Sequence, residues 1–311
     1  MNDRVPLLID TDPGVDDALA IFMAFNDPDH QVVGLTVTAG NVGLEHTLAN
    51  ALKLAEMGGA GIPVFAGSAV PLVHPAGDAS GIHGRNGFGD VDYEPAAAGP
   101  ESEHAALAIL RLSHEYAGQL VLVALGPLTN VALAARLDPT LPERIKRLVV
   151  MGGAVAAQGN ITPAAEFNFA FDPEAAHIVF EAFPQLDLTD WQATLNHGLP
   201  IEEVEAWLNT GNPRATFYEQ ISRRSRRWSA DRLGPIWCSA DGLAMAWALQ
   251  PERALEVQLR PVHMELTGQL TRGATVVDWN RQTGAADNAR ILTRYDQGRF
   301  QELVRAALLA D

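Results

Sequence analysis

Short, wholly apolar runs alternate with amphipathic stretches along this chain, and that alternation constrains its fold more than any other feature. Val5 to Ile9 is the first such run, and an amphipathic stretch from Asp16 to Phe25 follows it. Gln31 to Thr38 reads as a second strand and Glu45 to Met57 as a helix. Val64 to Ala66, Leu120 to Leu125 and Leu148 to Met151 read as further buried strands, with helical stretches at about 101–116 and 129–137 between them. A strand that is apolar at every position must be covered on both faces, which is the condition of parallel strands joined by crossover helices. The expectation is an α/β fold: one domain over residues 1–311, with a mostly parallel open sheet flanked by helices. Sites in such sheets lie at the carboxyl ends of the strands. Two stretches interrupt the rhythm. His74 to Pro100 is rich in Gly, Pro and Asp and reads as a long loop, and Arg214 to Pro235 reads as helical and then irregular.

The first strand runs into Ile9-Asp10-Thr11-Asp12-Pro13-Gly14-Val15-Asp16-Asp17, four carboxylates within eight residues. Asp is common at helix starts, where it meets free N–H groups and the positive end of the dipole, and capping accounts for one or two of them. Four on one turn repel each other unless something positive sits among them. No Lys or Arg is near in sequence, so a hard divalent cation with oxygen ligands is the expected partner. Calcium, which takes roughly 6–8 oxygens, suits a site that holds sugar hydroxyls as well as protein ligands better than magnesium does.

The net charge of −16 disfavours nucleic acid as a partner, since phosphate binding needs a basic surface. No apolar stretch approaches the ~20 residues of a membrane span, and the N-terminal run ends too soon in carboxylates to read as a signal peptide. A cytoplasmic location is the expectation. The single cysteine, Cys238, rules out an intrachain disulfide and a cysteine-based zinc site.

The segment DTDPGVDDALAI at 10–21 resembles the N-terminal signature of the inosine–uridine-preferring nucleoside hydrolases. TAGN at 38–41, LGPLTN at 125–130, MGGA at 151–154, GNITPAAEFNFAFDPEAA at 159–176, SADGLAMAWAL at 239–249 and TRGATVVD at 271–278 follow in that family's order. The resemblance covers essentially the whole chain. It implies calcium-dependent hydrolysis of the N-glycosidic bond of ribonucleosides by a homodimer or homotetramer. It implies that Asp12 both binds Ca2+ and activates water, and that Asp17, Asp241 and the Leu125 carbonyl complete the calcium shell with Asp10 in support. It further implies that Asp16, Asn41, Met151, Asn160, Glu166 and Asn168 meet the ribose. Elementary chemistry agrees: riboside hydrolysis passes through an oxocarbenium-like state that negative charge stabilises, and a carboxylate can take the proton of the attacking water.

Other residues are more ambiguous. Asp172-Pro173 reads first as a helix start. His83, on the long loop, is either a solvated histidine or a catalytic group near the base. Trp228, Trp237 and Trp247 can stack on a base but are more often core, and Phe167 lies inside the ribose-binding block. The run Arg223-Arg224-Ser225-Arg226-Arg227 reads as a solvated helix face, and Cys238 as a small core residue. The family's histidine before the calcium-binding aspartate is Ala240 here, which has no proton to give. Either another group serves, with His83 the first candidate, or Trp237 stacks on the base and raises its basicity, or the natural substrate has a leaving group that needs little help. Two other readings compete. A haloacid-dehalogenase-type phosphatase also places two Asp residues two apart after its first strand, but Pro13 and Gly14 break that continuation. A non-catalytic calcium-dependent nucleoside- or sugar-binding protein would use the same residues without turnover.

Overall fold

The computed structural model describes residues 4–59, 61–156 and 158–310. In chain order the strands are β1 (Val5–Thr11), β2 (His30–Val37), β3 (Val64–Ala66), β4 (Leu120–Ala124), β5 (Ile145–Met151), β6 (Leu186–Thr189), β7 (Leu199–Pro200), β8 (Ile236–Trp237), β9 (Ala254–Arg260), β10 (Val262–Met264), β11 (Thr275–Val277) and β12 (Ala289–Tyr295). The first helices are α1 (Val15–Asn26), α2 (Leu44–Met57), α3 (Ser80–His83), α4 (Ala105–Glu115), α5 (Thr129–Leu137) and α6 (Leu141–Arg144). They are followed by α7 (Phe167–Phe171), α8 (Pro173–Ala182), α9 (Trp191–Asn196), α10 (Ile201–Leu208), α11 (Pro213–Leu233), α12 (Ala240–Leu249) and α13 (Gln297–Leu309).

Eight strands form one sheet in the order β3-β2-β1-β4-β5-β6-β12-β9. Its pairs are parallel except β12 with β9. The chain winds outward from β1 in both directions, so strand order reverses between β1 and β4, and the crevice at their carboxyl ends is where such sheets bind ligands. Asp10, near the end of β1, pairs with Thr36 on one side and Ala124 on the other. The carboxylate run therefore emerges at the switch point.

The apolar strands are explained by burial on both faces. Leu7, Ile9, Val121, Val123 and Val149 join one core with residues of α1, α12 and α13. Leu8, Leu120, Leu122, Leu148 and Val150 join the other with residues of α4, α5 and α8. Each such side chain contributes roughly 1.5–3 kcal/mol on burial, so an exposed face on these strands would not be tolerated.

The expected mostly parallel α/β sheet is present, with corrections in detail. β1 runs on through Asp10 and Thr11, so Asp10 belongs to the strand and not to the turn. The stretch after Arg214 has no irregular half: α11 is one helix of 21 residues, started by Asn212, whose side chain accepts from Arg214 N and Ala215 N. The loop from His74 to Pro100 contains α3, a single turn that carries His83 at its end. Asp172 caps α8, as expected, by accepting from Ala175 N at 3.0 Å. β6, β9 and β12 lie outside the apolar runs read from sequence. β6 carries the buried Asp187, paired with Arg147 and Arg290, while β9 and β12 alternate polar with apolar residues at the sheet's far edge. Among the described residues no helix is long and apolar enough to cross a membrane.

Candidate active site

At the end of β1, three of the run's four carboxylates are held by hydrogen bonds from their neighbours. Asp10 Oδ1 accepts from Thr36 Oγ1 (2.7 Å) and Asn130 Nδ2 (2.9 Å), while its Oδ2 has no partner. Burial pushes the Asp10 carboxyl up to about 7. Asp17 accepts from Thr11 Oγ1 (2.5 Å), from Asn41 Nδ2 (3.0 Å) and from Gly14 N (2.8 Å), so it also closes the first turn of α1. Asp12 Oδ2 accepts the Asn41 N–H at 2.6 Å. Gly40 and Gly126 flank the Asp12 carboxylate: a Cβ at either would stand 2.1 Å from Oδ2 or 2.3 Å from Oδ1. The backbone thus closes on Asp12 from two sides, and only glycine leaves it room.

Asp16, Asp17 and Asp241, the last from the first turn of α12, bring carboxylate oxygens within 4.8 Å of one another. Asp12 lies close enough to feel their charge. Burial, then the charges of Asp17 and Asp16, raise the Asp12 carboxyl well above the usual range. Burial, then Asp16, Asp17 and Asp12, do the same to Asp241. Burial lifts Asp16 to about 6. Among the described residues no Lys or Arg forms an ion pair with any of these carboxylates. Clustered buried carboxylates with an unpartnered oxygen on Asp10 and no protein cation are a donor set that fits a hard divalent cation.

Above the cluster opens a cavity of about 230 Å³. Asp16, Asn41, His83, Leu125, Met151, Asn160, Glu166, Phe167, Asn168, Trp237 and Asp241 all line it, so the residues expected from sequence converge. Asp10, Asp12 and Asp17 sit beneath, bonded to that lining or to its supports. Asn168 Nδ2 donates to the carbonyls of Leu125 (2.7 Å) and Met151 (3.2 Å), which turns both oxygens toward one amide. Glu166 is buried and its carboxyl is pushed up to about 7 by burial. It accepts from Gly153 N (2.7 Å), Asn168 N (2.9 Å) and Phe169 N (3.3 Å), a capping role for α7 that the sequence did not suggest. Asn160 Oδ1 accepts from Phe167 N at 2.9 Å, which leaves its amide N–H groups for other partners.

The far end of the cavity is aromatic and apolar. Trp237 is only 2% exposed and meets Tyr218 edge-on, with ring centroids 6.0 Å apart, so it offers a wall and not a free face. Trp228 and Trp191 are half-buried and line the same end; Trp191, the first residue of α9, was not singled out from the sequence. Nothing in its local pattern separates it from a core tryptophan, because β6, which delivers it here, went unread. Trp247 is fully buried, as read. Cys238 is not core: it lines the cavity, with burial raising its thiol to about 11. Ala240 stands in this wall and has no proton to give.

His83 is 8% exposed and its Nδ1 accepts the Val15 N–H at 3.1 Å. Burial lowers it to about 4, and a neutral imidazole that accepts at Nδ1 carries its proton on Nε2. The arginine run is not a uniformly solvated face. Arg226 is buried, pairing with Glu205 (2.7 Å) and Glu219 (3.5 Å), and only Ser225 of the run lines the cavity.

Comparison with known proteins agrees with this architecture. The family model described as inosine-uridine preferring nucleoside hydrolase matches residues 7–302. The chain is 37% identical over 298 residues to a non-specific ribonucleoside hydrolase from Klebsiella pneumoniae, covering 96% of each protein. It is 36% identical over 304 residues to a pyrimidine-specific ribonucleoside hydrolase from Escherichia coli, covering 96% of this chain and 97% of that one. A solved inosine-guanosine nucleoside hydrolase superposes with a TM-score of 0.91 at 34% identity, covering 98% of both chains. The chain belongs to the inosine-uridine preferring nucleoside hydrolase family and is an enzyme that hydrolyses ribonucleosides.

Proposed function

We propose that this enzyme cleaves the N-glycosidic bond of ribonucleosides with water activated by Asp12 and with Ca2+ as its metal, giving ribose and a free base. The observation that carries the reading is the cluster at the switch point of the buried Asp12, Asp17 and Asp241 with the half-buried Asp16, with no Lys or Arg pairing to them among the described residues. Asp12, Asp17, Asp241 and the Leu125 carbonyl would hold the ion, with Asp10 supporting from below. This all-oxygen set, completed by substrate hydroxyls, suits calcium's high coordination number. When bound, Ca2+ supplies positive charge that relieves the repulsion among the carboxylates and orients the ribose diol and the attacking water.

The chain's own residues do the rest. Asp12 takes the proton of the attacking water; the Asn41 N–H and the two flanking glycines fix its carboxylate so that little reorganisation is needed. The negative end of the cavity favours the oxocarbenium-like sugar as it forms. Asp16, Asn41, Asn160, Glu166, Asn168 and Met151 meet the ribose, and Phe167 and Trp237 border the base. His83, neutral with its proton on Nε2, supports the departing base as a hydrogen-bond donor, in place of the histidine that Ala240 lacks. The named relatives differ in base, so base choice is read from this chain's own aromatic end. Nucleoside salvage in the cytoplasm by a homodimer or homotetramer is the setting that fits this activity; light scattering on the purified protein tests the assembly.

The test is ribose release from a panel of ribonucleosides by chelated and calcium-restored protein. Release that follows calcium is expected. Full activity in protein shown by elemental analysis to be metal-free would sink the reading, and tight riboside binding without any ribose release would favour a non-catalytic binder.

A further inference from the structure

Two stretches of the cavity wall come from segments far apart in sequence, α3 with its following turn and α11. Below the cavity they meet through Phe88, buried edge-on against Phe217 (ring centroids 5.7 Å), and at the surface one polar side chain bridges them. Arg224 Nε donates to the Gly81 carbonyl (3.2 Å) and its Nη1 donates to Asp90 Oδ2 (3.0 Å). The other Asp90 oxygen accepts from Arg85 N at 2.7 Å, so one carboxylate joins the turn to itself and to α11. Asp90 has φ 63°, a left-handed conformation that Asp tolerates better than most residues. The turn is also fitted to the helix backbone. Gly89 N donates to the His83 carbonyl at 2.7 Å, and a Cβ at Gly89 would meet the Ile221 carbonyl at 2.6 Å.

Arg224 does not line the cavity, but its neighbours on both segments do: Ile82 and His83 on α3, and Ser225, Trp228 and Ser229 on α11. Both serines already donate to backbone carbonyls, Ser225 to Ser222 (3.0 Å) and Ser229 to Ile236 (2.7 Å), which pins that helix face. Arg223 and Arg226 are committed elsewhere, to Glu219 and Glu205 in a separate groove. Within the run, Arg224 alone has bonds to the α3 segment.

We propose that Arg224 is a positioning residue for substrate binding: with Asp90 it clips residues 81–90 to α11 and so fixes the distance between the His83 wall and the Trp228 wall. The proposal rests on the hydrolase reading of this cavity. Arg224 is 45% exposed and Asp90 31%, and exposed pairs contribute little to global stability, so the effect belongs to the site and not to the fold.

Arg224→Ala, Arg224→Lys, Asp90→Asn and the Arg224→Ala/Asp90→Asn double variant are compared with wild type in calcium. The measurements are hydrolysis of uridine and inosine, inhibition by ribose, thermal unfolding, and hydrogen exchange of peptides spanning 78–91 without substrate. Arg224→Ala is expected to raise the nucleoside KM by roughly three- to tenfold, with faster exchange in 78–91 and unchanged ribose inhibition and Tm. Arg224→Lys should recover part of the loss, since an ammonium lacks the fork that reaches both acceptors, and the double variant should be no worse than Arg224→Ala. A wild-type KM overturns the proposal. So does a KM rise matched by a weaker ribose constant or a lower Tm, or one without faster exchange. Failure of the wild-type enzyme to cleave any ribonucleoside would instead overturn the hydrolase reading, and the exchange data would still decide the clip.

Discussion

Replacing Asp17 by Asn separates the two effects of the carboxylate cluster, its cost to the metal-free fold and its use in holding a cation. At 4.8 Å, two unit charges repel by roughly 3.5 kcal/mol at an effective dielectric of about 20. The raised carboxyls relieve part of that repulsion by holding protons, and the rest burdens the metal-free fold. Asn keeps one acceptor oxygen for the donors that Asp17 now serves, Thr11, Gly14 and Asn41, and loses about 1 kcal/mol with the other. Metal-free Asp17→Asn should therefore be as stable as metal-free wild type or slightly more so. Calcium separates the two proteins. At about 1,000 times its Kd a ligand adds about 4.1 kcal/mol, and for 311 residues, with an unfolding entropy of ~0.65 kcal/mol/K, that is a rise of ~6 °C in Tm. Scanning calorimetry with chelator and with calcium should show that rise in wild type and little of it in the variant. A variant that is destabilised without metal yet keeps the full rise would refute the reasoning.

Three further outcomes follow from the same geometry. Asp16, Asp10 and Glu166 titrate at about 6, 7 and 7 in the folded protein, above their unfolded values of 3.8 and 4.5. Their contribution to metal-free stability is thus complete below about pH 4 and is lost as pH rises through 6 to 7. In chelator, Tm should be lower at pH 8 than at pH 5, with calcium narrowing the gap; an unchanged Tm across that range would contradict the raised values. Gly126→Ala, whose Cβ would stand 2.3 Å from Asp12 Oδ1, should cut kcat by roughly 10²-fold in a protein that circular dichroism shows folded, while a wild-type kcat would mean that the backbone there yields freely. A 2′-deoxynucleoside leaves polar groups of the ribose pocket unmet, at about 1–3 kcal/mol each, so its kcat/KM should fall at least tenfold below that of its ribonucleoside. Equal values would mean that none of Asp16, Asn160, Glu166 and Asn168 recognises the 2′-hydroxyl.

The sheet's centre was legible because its strands are buried on both faces, which leaves an unbroken apolar signature in β1, β4 and the end of β5. Its far half was not, since Asp187 in β6 and Arg290 in β12 are polar residues satisfied by partners distant in the chain. The carboxylate cluster was readable because β1 and α1 deliver three of its four members from one local run. Asp241 comes from α12, 224 positions after Asp17, and was reached through resemblance and not through spacing. The aromatic end was least legible. Trp191, Trp228 and Trp237 look alike in sequence, and only the packing of α9, α11 and β8 decides that the first two present surface while the third is spent against Tyr218. The clip at Arg224 lay inside a charge run that, read alone, is a solvated face.

The central claim is that Asp12 activates water at a metal-dependent site, and the kcat of Asp12→Asn at saturating calcium tests it most directly. Asn is nearly isosteric and its Oδ1 can still accept the Asn41 N–H, so the variant should fold and bind substrate. Loss of a general base lowers rate by about 10²–10⁴-fold. A kcat on uridine or inosine at least roughly 10²-fold below wild type, in protein with an unchanged Tm, is the predicted result. A loss under about tenfold, or about 1.4 kcal/mol of barrier, would contradict it.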